Sequence, residues 1–228
     1  MTSVANLLGQ LVKVEGFAKP DGTLYAKEVE GRENEGELEG FITAVMGNPA
    51  TSLSIVTQDG SGSGMDNTKV GEAFTVNLAG LQASEYRVKQ GSSDFDGLNN
   101  VGSSATFPFD PTTVHAGQRV EIDTDSSIPA AGGTIAAEKV NLQQQTLRGT
   151  VSAISGATAP RTITLTVAGD SAFSTVSGVL TVNVFDQAKS DHRTLTVNVG
   201  DNIRVRGLVF FTAVGQANMI ARRIEAGQ

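Results

Sequence analysis

With 228 residues and 39% hydrophobic content, the chain is long enough to bury a core; with 5% aromatics and no Trp, that core must come mainly from Val, Ile, Leu and Ala. The absence of Cys excludes disulfides, thiolate metal sites and cysteine nucleophiles, and no run of 18 apolar residues is present to form a membrane helix. A formal net charge of −7 repels phosphate backbones, so the expectation from charge is no nucleic-acid partner.

Met1 to Gln10 has neither the basic start nor the long apolar stretch of a signal peptide. Gly9-Gln-Leu-Val-Lys-Val-Glu-Gly16 and Gly22-Thr-Leu-Tyr-Ala-Lys-Glu-Val29 each alternate apolar and polar residues around a turn, which predicts a β-hairpin. Leu38-Glu-Gly-Phe-Ile-Thr-Ala-Val45, Leu53-Ser-Ile-Val56 and Phe74-Thr-Val-Asn-Leu78 predict three further strands. Residues 57–72 and 88–112 are rich in Gly, Ser, Asn and Asp and read as long surface loops, while 81–88 offers at most a turn of helix. Gly117-Gln-Arg-Val-Glu-Ile122 with Gly133-Thr-Ile-Ala-Ala-Glu-Lys-Val140 is a second hairpin of the first one's pattern.

The series then recurs. Leu147-Arg-Gly-Thr-Val-Ser-Ala-Ile154 matches 38–45, Thr162–Val167 follows as 53–56 does, and Leu180-Thr-Val-Asn-Val184 matches Phe74–Leu78. A turn of helix fits 172–177, and Leu195, Val197 and Val199 alternate as a strand would. Gly200-Asp-Asn-Ile-Arg-Val-Arg-Gly207 with Asn218-Met-Ile-Ala-Arg-Arg-Ile224 is the third hairpin. The expected fold class is all-β: tandem small OB-like β-barrels (or short sandwiches) with an N-terminal hairpin and very little helix, divided as 1–36, 37–145 and 146–228. A barrel is preferred because closure removes exposed strand edges.

The hairpin within 5–32 lacks the strands that should precede it, and half a barrel cannot bury its apolar face alone. Three solutions stand: the chain continues upstream, the hairpin packs on its neighbour, or another chain completes it by strand addition. The third makes a polymer, with Val12, Val14, Leu24 and Val29 as the self-association residues.

The repeated pattern, a Gly-Gln-x-Val-x-Val strand, then Gly-Thr-apolar-x-Ala-x-x-Val, then Gly-x-Val-x-Ala-Val, resembles a bacterial domain-of-unknown-function family of small OB-like β-barrel repeats. Phe107-Pro-Phe-Asp-Pro111 running into Val114-His-Ala-Gly-Gln-Arg-Val-Glu-Ile122 looks like that family's approach to its closing hairpin. The resemblance implies an extracellular or cell-envelope setting and carries no catalytic residues.

No residue pattern points to catalysis. His115 and His192 lie in different units and read as surface loop residues, unsupported by Cys. Gly169-Asp-Ser171 lacks an α/β scaffold, Asp94 with Asp96 and Asp123 with Asp125 lack flanking Trp or Tyr for a sugar ring, and Gly60-Ser-Gly-Ser-Gly64 precedes no helix. The best metal candidate is a Ca²⁺ loop at Asp94, Asp96 and Asn99, whose hard oxygens alternate but whose Gly97 falls at the fourth position, not the sixth. Arg204, Arg206, Arg222 and Arg223 could share a strand face beside Glu225 and Asp201, and read as a solvated surface. The expected function is a non-catalytic structural, self-associating protein. The alternative is a binding module for a glycan or protein partner through the long loops.

Overall fold

The computed structural model describes residues 12–19, 23–31, 36–58, 70–88, 95, 107–125, 128–192 and 195–227. These residues form fourteen strands and one short helix. β1 (Val12–Ala18) and β2 (Leu24–Gly31) make the N-terminal hairpin. The next elements are β3 (Gly36–Met46), β4 (Ser52–Thr57), β5 (Ala73–Asn77), β6 (Tyr86–Val88), β7 (Arg119–Thr124), β8 (Thr134–Ala136) and β9 (Lys139–Leu142). The last third holds β10 (Gln145–Ser155), β11 (Arg161–Val167), the helix α1 (Ala172–Ser177), β12 (Thr181–Asp186), β13 (Asn202–Phe211) and β14 (Ala217–Ala226). The all-β expectation holds, and both predicted helical turns are found, at Ala83–Glu85 and Ala172–Ser177.

The second unit is a closed barrel in the order β10-β11-β12-β14-β13. Its first strand pairs antiparallel with its fourth, and its third runs parallel with its fifth. That is the Greek-key closure of an OB-like barrel. The first unit is a seven-stranded sheet, β6-β9-β7-β3-β4-β5-β8, that repeats these pairings with strand five in two pieces: β8 lies parallel to β5, and β9 lies antiparallel to β7. β6 adds an extra strand, parallel to β9. Strict alternation places Leu53 and Ile55, or Ile163 and Leu165, in the barrel interiors, all at 0% exposure.

The repeat is exact in register at β3 and β10. Both strands carry a bulge one turn after a glycine, between Ile42 and Ala44 and between Val151 and Ala153. The bulged residues Thr43 and Ser152 each donate a hydroxyl to a carbonyl of the next strand, Ser54 and Thr164, at 3.2 Å. The preceding glycines are sterically required: a Cβ at Gly40 would lie 2.7 Å from the Val56 carbonyl oxygen, and one at Gly149 would lie 2.2 Å from that of Thr166.

Two sequence expectations shift. Thr-Val-Asn in β5 and β12 are not equivalent residues: Ile55 faces Phe74 while its counterpart Leu165 faces Val182, so the true match is offset by two residues. Leu195, Val197 and Val199 form no strand. Both edges of β10 are already occupied, by β11 and β13, and a closed barrel leaves no edge for another strand.

The barrels are fused through a continuous apolar seam. Leu208, Phe210 and Ile220 of the second unit pack into the first core, and Phe41 of the first packs into the second. Phe107 bridges Phe185 and Phe210 at ring distances of 6.0 and 5.4 Å. Two buried glutamines tie the backbones together. Gln118 accepts from the His115 amide at 2.8 Å and donates to the Val209 carbonyl at 2.9 Å. Gln145 accepts from the Arg119 amide at 2.8 Å and donates to the Gly117 carbonyl at 3.0 Å. Amides satisfied on both sides remove the desolvation cost that such buried groups otherwise carry.

Candidate functional site

The hairpin β1–β2 carries the pairing scheme of the hairpin that closes the second barrel and shares its register with the counterpart in the first unit. Val14 faces Val29, and after a bulge Gly16 faces Ala26. In the second barrel Val205 faces Ile224, and after a bulge Gly207 faces Ala221. In the first, Ile122 faces Val140. The four predicted self-association positions therefore have eight register equivalents: Val12 matches Val120 and Ile203, Val14 matches Ile122 and Val205, Leu24 matches Ile135 and Met219, and Val29 matches Val140 and Ile224. All eight are barrel core, exposed by 3% or less. Among the described residues β1 and β2 form a two-stranded sheet of their own. On its outer surface Tyr25 is exposed, with the Lys19 ammonium 5.4 Å from its ring centre.

The predicted Ca²⁺ ligands Asp94, Asp96 and Asn99 lie outside the described residues, as does most of the 57–72 loop. Among the described residues no group of three or more His, Asp or Glu is placed to hold a metal.

The two histidines are more than loop surface. His115 is half-buried, stacked on Phe211 at 4.0 Å in the seam, with Nδ1 2.8 Å from the Ala116 carbonyl. His192 reaches back to the fully buried carboxylate of Asp186, Nε2 to Oδ1 at 2.7 Å, and Arg161 Nε binds the other oxygen at 2.8 Å. Arg161 and Asp186 are direct partners across β11 and β12, so the ladder itself brings them together. Nearby, Gln187 and Ser190 both donate to the Ala221 carbonyl, at 2.9 and 3.0 Å. These bonds knot the loop 187–192 onto β14. Nothing in the spacing of Arg161, Asp186 and His192 signals this cluster, because it forms only when two strands register.

A second buried carboxylate, Glu121, accepts from the side-chain amides of Asn141 at 3.3 Å and Gln143 at 3.0 Å. Tyr86 lies wholly inside the first barrel, edge-on to Phe109 at 5.8 Å, and its hydroxyl finds no hydrogen-bond partner among the described residues. Burial pushes the phenol up to about 12, with the Asp110 and Glu85 carboxylates adding to the effect.

The arginines at the C-terminal end do share one face. Arg204 pairs with Glu225, and Arg223 with Asp191 at 3.2 Å, whereas Arg206 and Arg222 are exposed and Arg148 stands directly opposite Arg204. Asp201 is not part of the face; it caps the turn by accepting from the Asn198 amide at 2.7 Å.

No family model matches the chain, and no curated protein matches it. Among solved structures, it is similar to a deletion mutant of the single-stranded DNA binding protein from Thermus aquaticus. The identity is 16% and the TM-score 0.25, with 86% of this chain and 94% of that one covered. The expectation of no nucleic-acid partner is corrected here, since a similar chain is itself a single-stranded DNA binding protein. The charge argument behind that expectation uses −7, a sum over the whole surface, whereas Arg148, Arg204, Arg206, Arg222 and Arg223 gather on one barrel face, with Glu225 and Asp191 paired among them. At that score the likeness assigns no ligand to this chain.

Proposed function

We propose that the chain is a non-catalytic structural module of an extracellular or cell-envelope assembly, joined to its neighbour by strand complementation at the N-terminal hairpin. One observation carries this reading: β1–β2 has the register and bulge of a barrel-closing hairpin, yet among the described residues it closes nothing. A hairpin of two strands is marginal in water, so its stable state is one in which further strands cover it. The setting is supported by the resemblance of the repeats to secreted barrel proteins.

Size-exclusion chromatography with light scattering, over a range of concentrations, tests the reading on the intact chain and on one lacking residues 1–35. The intact chain is expected to associate as concentration rises, through its hairpin, and the shortened chain to stay monomeric. Two monomers at every concentration would refute the reading.

A further inference from the structure

Resting on that reading, we infer that the hairpin's natural neighbour is a three-stranded antiparallel meander on a polypeptide other than a folded copy of this chain, with a first strand reading Leu-x-Gly-x-(Ile/Val)-(Thr/Ser)-Ala-(Val/Ile). The pairings of the two units define what such a hairpin accepts. Its first strand pairs antiparallel with strand one of the barrel, as β7 does with β3 and β13 with β10. Its second strand pairs parallel with strand three, as β8 does with β5 and β14 with β12.

The register can be carried over residue by residue. Leu38 faces Ile122 and Leu147 faces Val205, so the incoming Leu stands opposite Val14. Gly40 faces Val120 and Gly149 faces Ile203, so the incoming Gly stands opposite Val12. Val76 lies beside Ile135 and Val184 beside Met219, so a β-branched residue of the incoming third strand lies beside Leu24. The glycine is demanded by the meander itself, since any Cβ there runs into the carbonyl of its own second strand. The Thr or Ser supplies the hydroxyl that holds the bulge.

A second folded copy does not meet the need. Each chain has two three-strand sets, β3–β5 and β10–β12, and each is already paired with a hairpin of its own. It has three closing hairpins. Exchanging hairpins between copies therefore leaves one over per chain, however many copies join. Association of the chain with itself is what a hairpin with no further strand among the described residues does by default; closure requires strands from elsewhere.

The test extends the full chain. A copy of residues 145–201 is placed directly before Leu11, which restores the spacing from strand one to the hairpin. Amide hydrogen exchange is then followed at 12–18 and 24–31, alongside light scattering. The expected result is at least 100-fold slower exchange in the hairpin, reaching that of β13 and β14, with association abolished. A second extended chain carries Gly149→Val in the added copy only. It should leave the hairpin unprotected while both resident barrels stay protected. Unchanged hairpin exchange in the first extended chain overturns the inference, as does equal protection with the Val form. So does full protection in the unextended chain at high concentration, which would make a second copy the occupant. If the unextended chain never associates but the extension protects the hairpin, the assembly reading fails and the partner geometry stands.

Discussion

The second barrel closes with one unbroken strand, whereas the first has two short ones in its place within a seven-stranded sheet. β14 does alone what β8 and β9 divide between them, and the division falls at Ala137-Glu138, the register equivalent of Ala221-Arg222. In the second barrel that point is a bulge with pairing on both sides, Arg206 to Arg223 and Gly207 to Ala221. In the first, pairing with strand four stops at Asp123 with Lys139, and Thr124 occupies the place of Gly207. The difference explains the glycine. A Cβ at Gly207 would lie 1.9 Å from the Ile220 carbonyl oxygen, so a side chain is tolerated only where the ladder is interrupted. The first barrel offsets its interruption with β6 along β9, where the second has, among the described residues, a single bridge between Asp191 and Arg223. The N-terminal hairpin sides with the second barrel, having Gly16 paired to Ala26.

The hardest way to break this comparison is to give the second barrel the first one's residue. Gly207→Thr should cost at least about 4 kcal/mol, because backbone atoms of β13 and β14 must separate. Loss of the second barrel's amide dispersion in NMR, with the first barrel's retained, is the expected outcome.

A smaller effect is expected where charge replaces apolar packing. Arg161 and Asp186 occupy the register positions of Thr51 and Leu78 in the first barrel. Asp186→Leu alone should destabilise by about 3 kcal/mol, since it leaves the guanidinium, whose side chain is 10% exposed, without its anion. Adding Arg161→Thr should restore most of that loss, which denaturant midpoints of the single and double variants will measure. A double variant as weak as the single one would mean that His192 rather than Arg161 is the main partner.

The smallest effect lies in the first core. Tyr86→Phe removes a buried hydroxyl that has no described partner, so stability at neutral pH should stay level or rise by about 1 kcal/mol. The sign of the pH effect follows from a phenol raised from 10.0 to about 12. The native form keeps its proton after the unfolded form has lost it, so stability falls as pH climbs from about 10 to about 12, by up to about 1.4 kcal/mol per pH unit. Alkaline unfolding curves of the Phe variant should lack that fall.

Much of the fold was legible because strand pairing is written as period-2 alternation. The match of 38–45 to 147–154 holds to the residue, bulge included, and the three hairpins share one register, with a bulge in the first and the third. The Thr-Val-Asn match slipped by two because an even shift leaves every side chain on its own face, so alternation alone cannot detect it. The seam was harder to see. Its signal is Leu208-Val-Phe-Phe211, four apolar residues in a row and all buried, which marks a strand covered on both faces. Gln118 and Gln145 gave no signal, as a polar residue after a turn reads as surface until another chain segment covers it. The charge argument against nucleic acid is blind for a related reason: total charge contains no positions.

The glutamine clasps across the seam have a mechanical consequence. Gln118 grips the Val209 carbonyl and Gln145 the Gly117 carbonyl, each from the opposite barrel. Tension entering the chain at β3 and leaving at β14 is thus not concentrated in the two-residue connection Gln143-Gln144 between β9 and β10. It is shared with main-chain carbonyls and packed rings, so pulling the two barrels apart means breaking both clasps along with the connection.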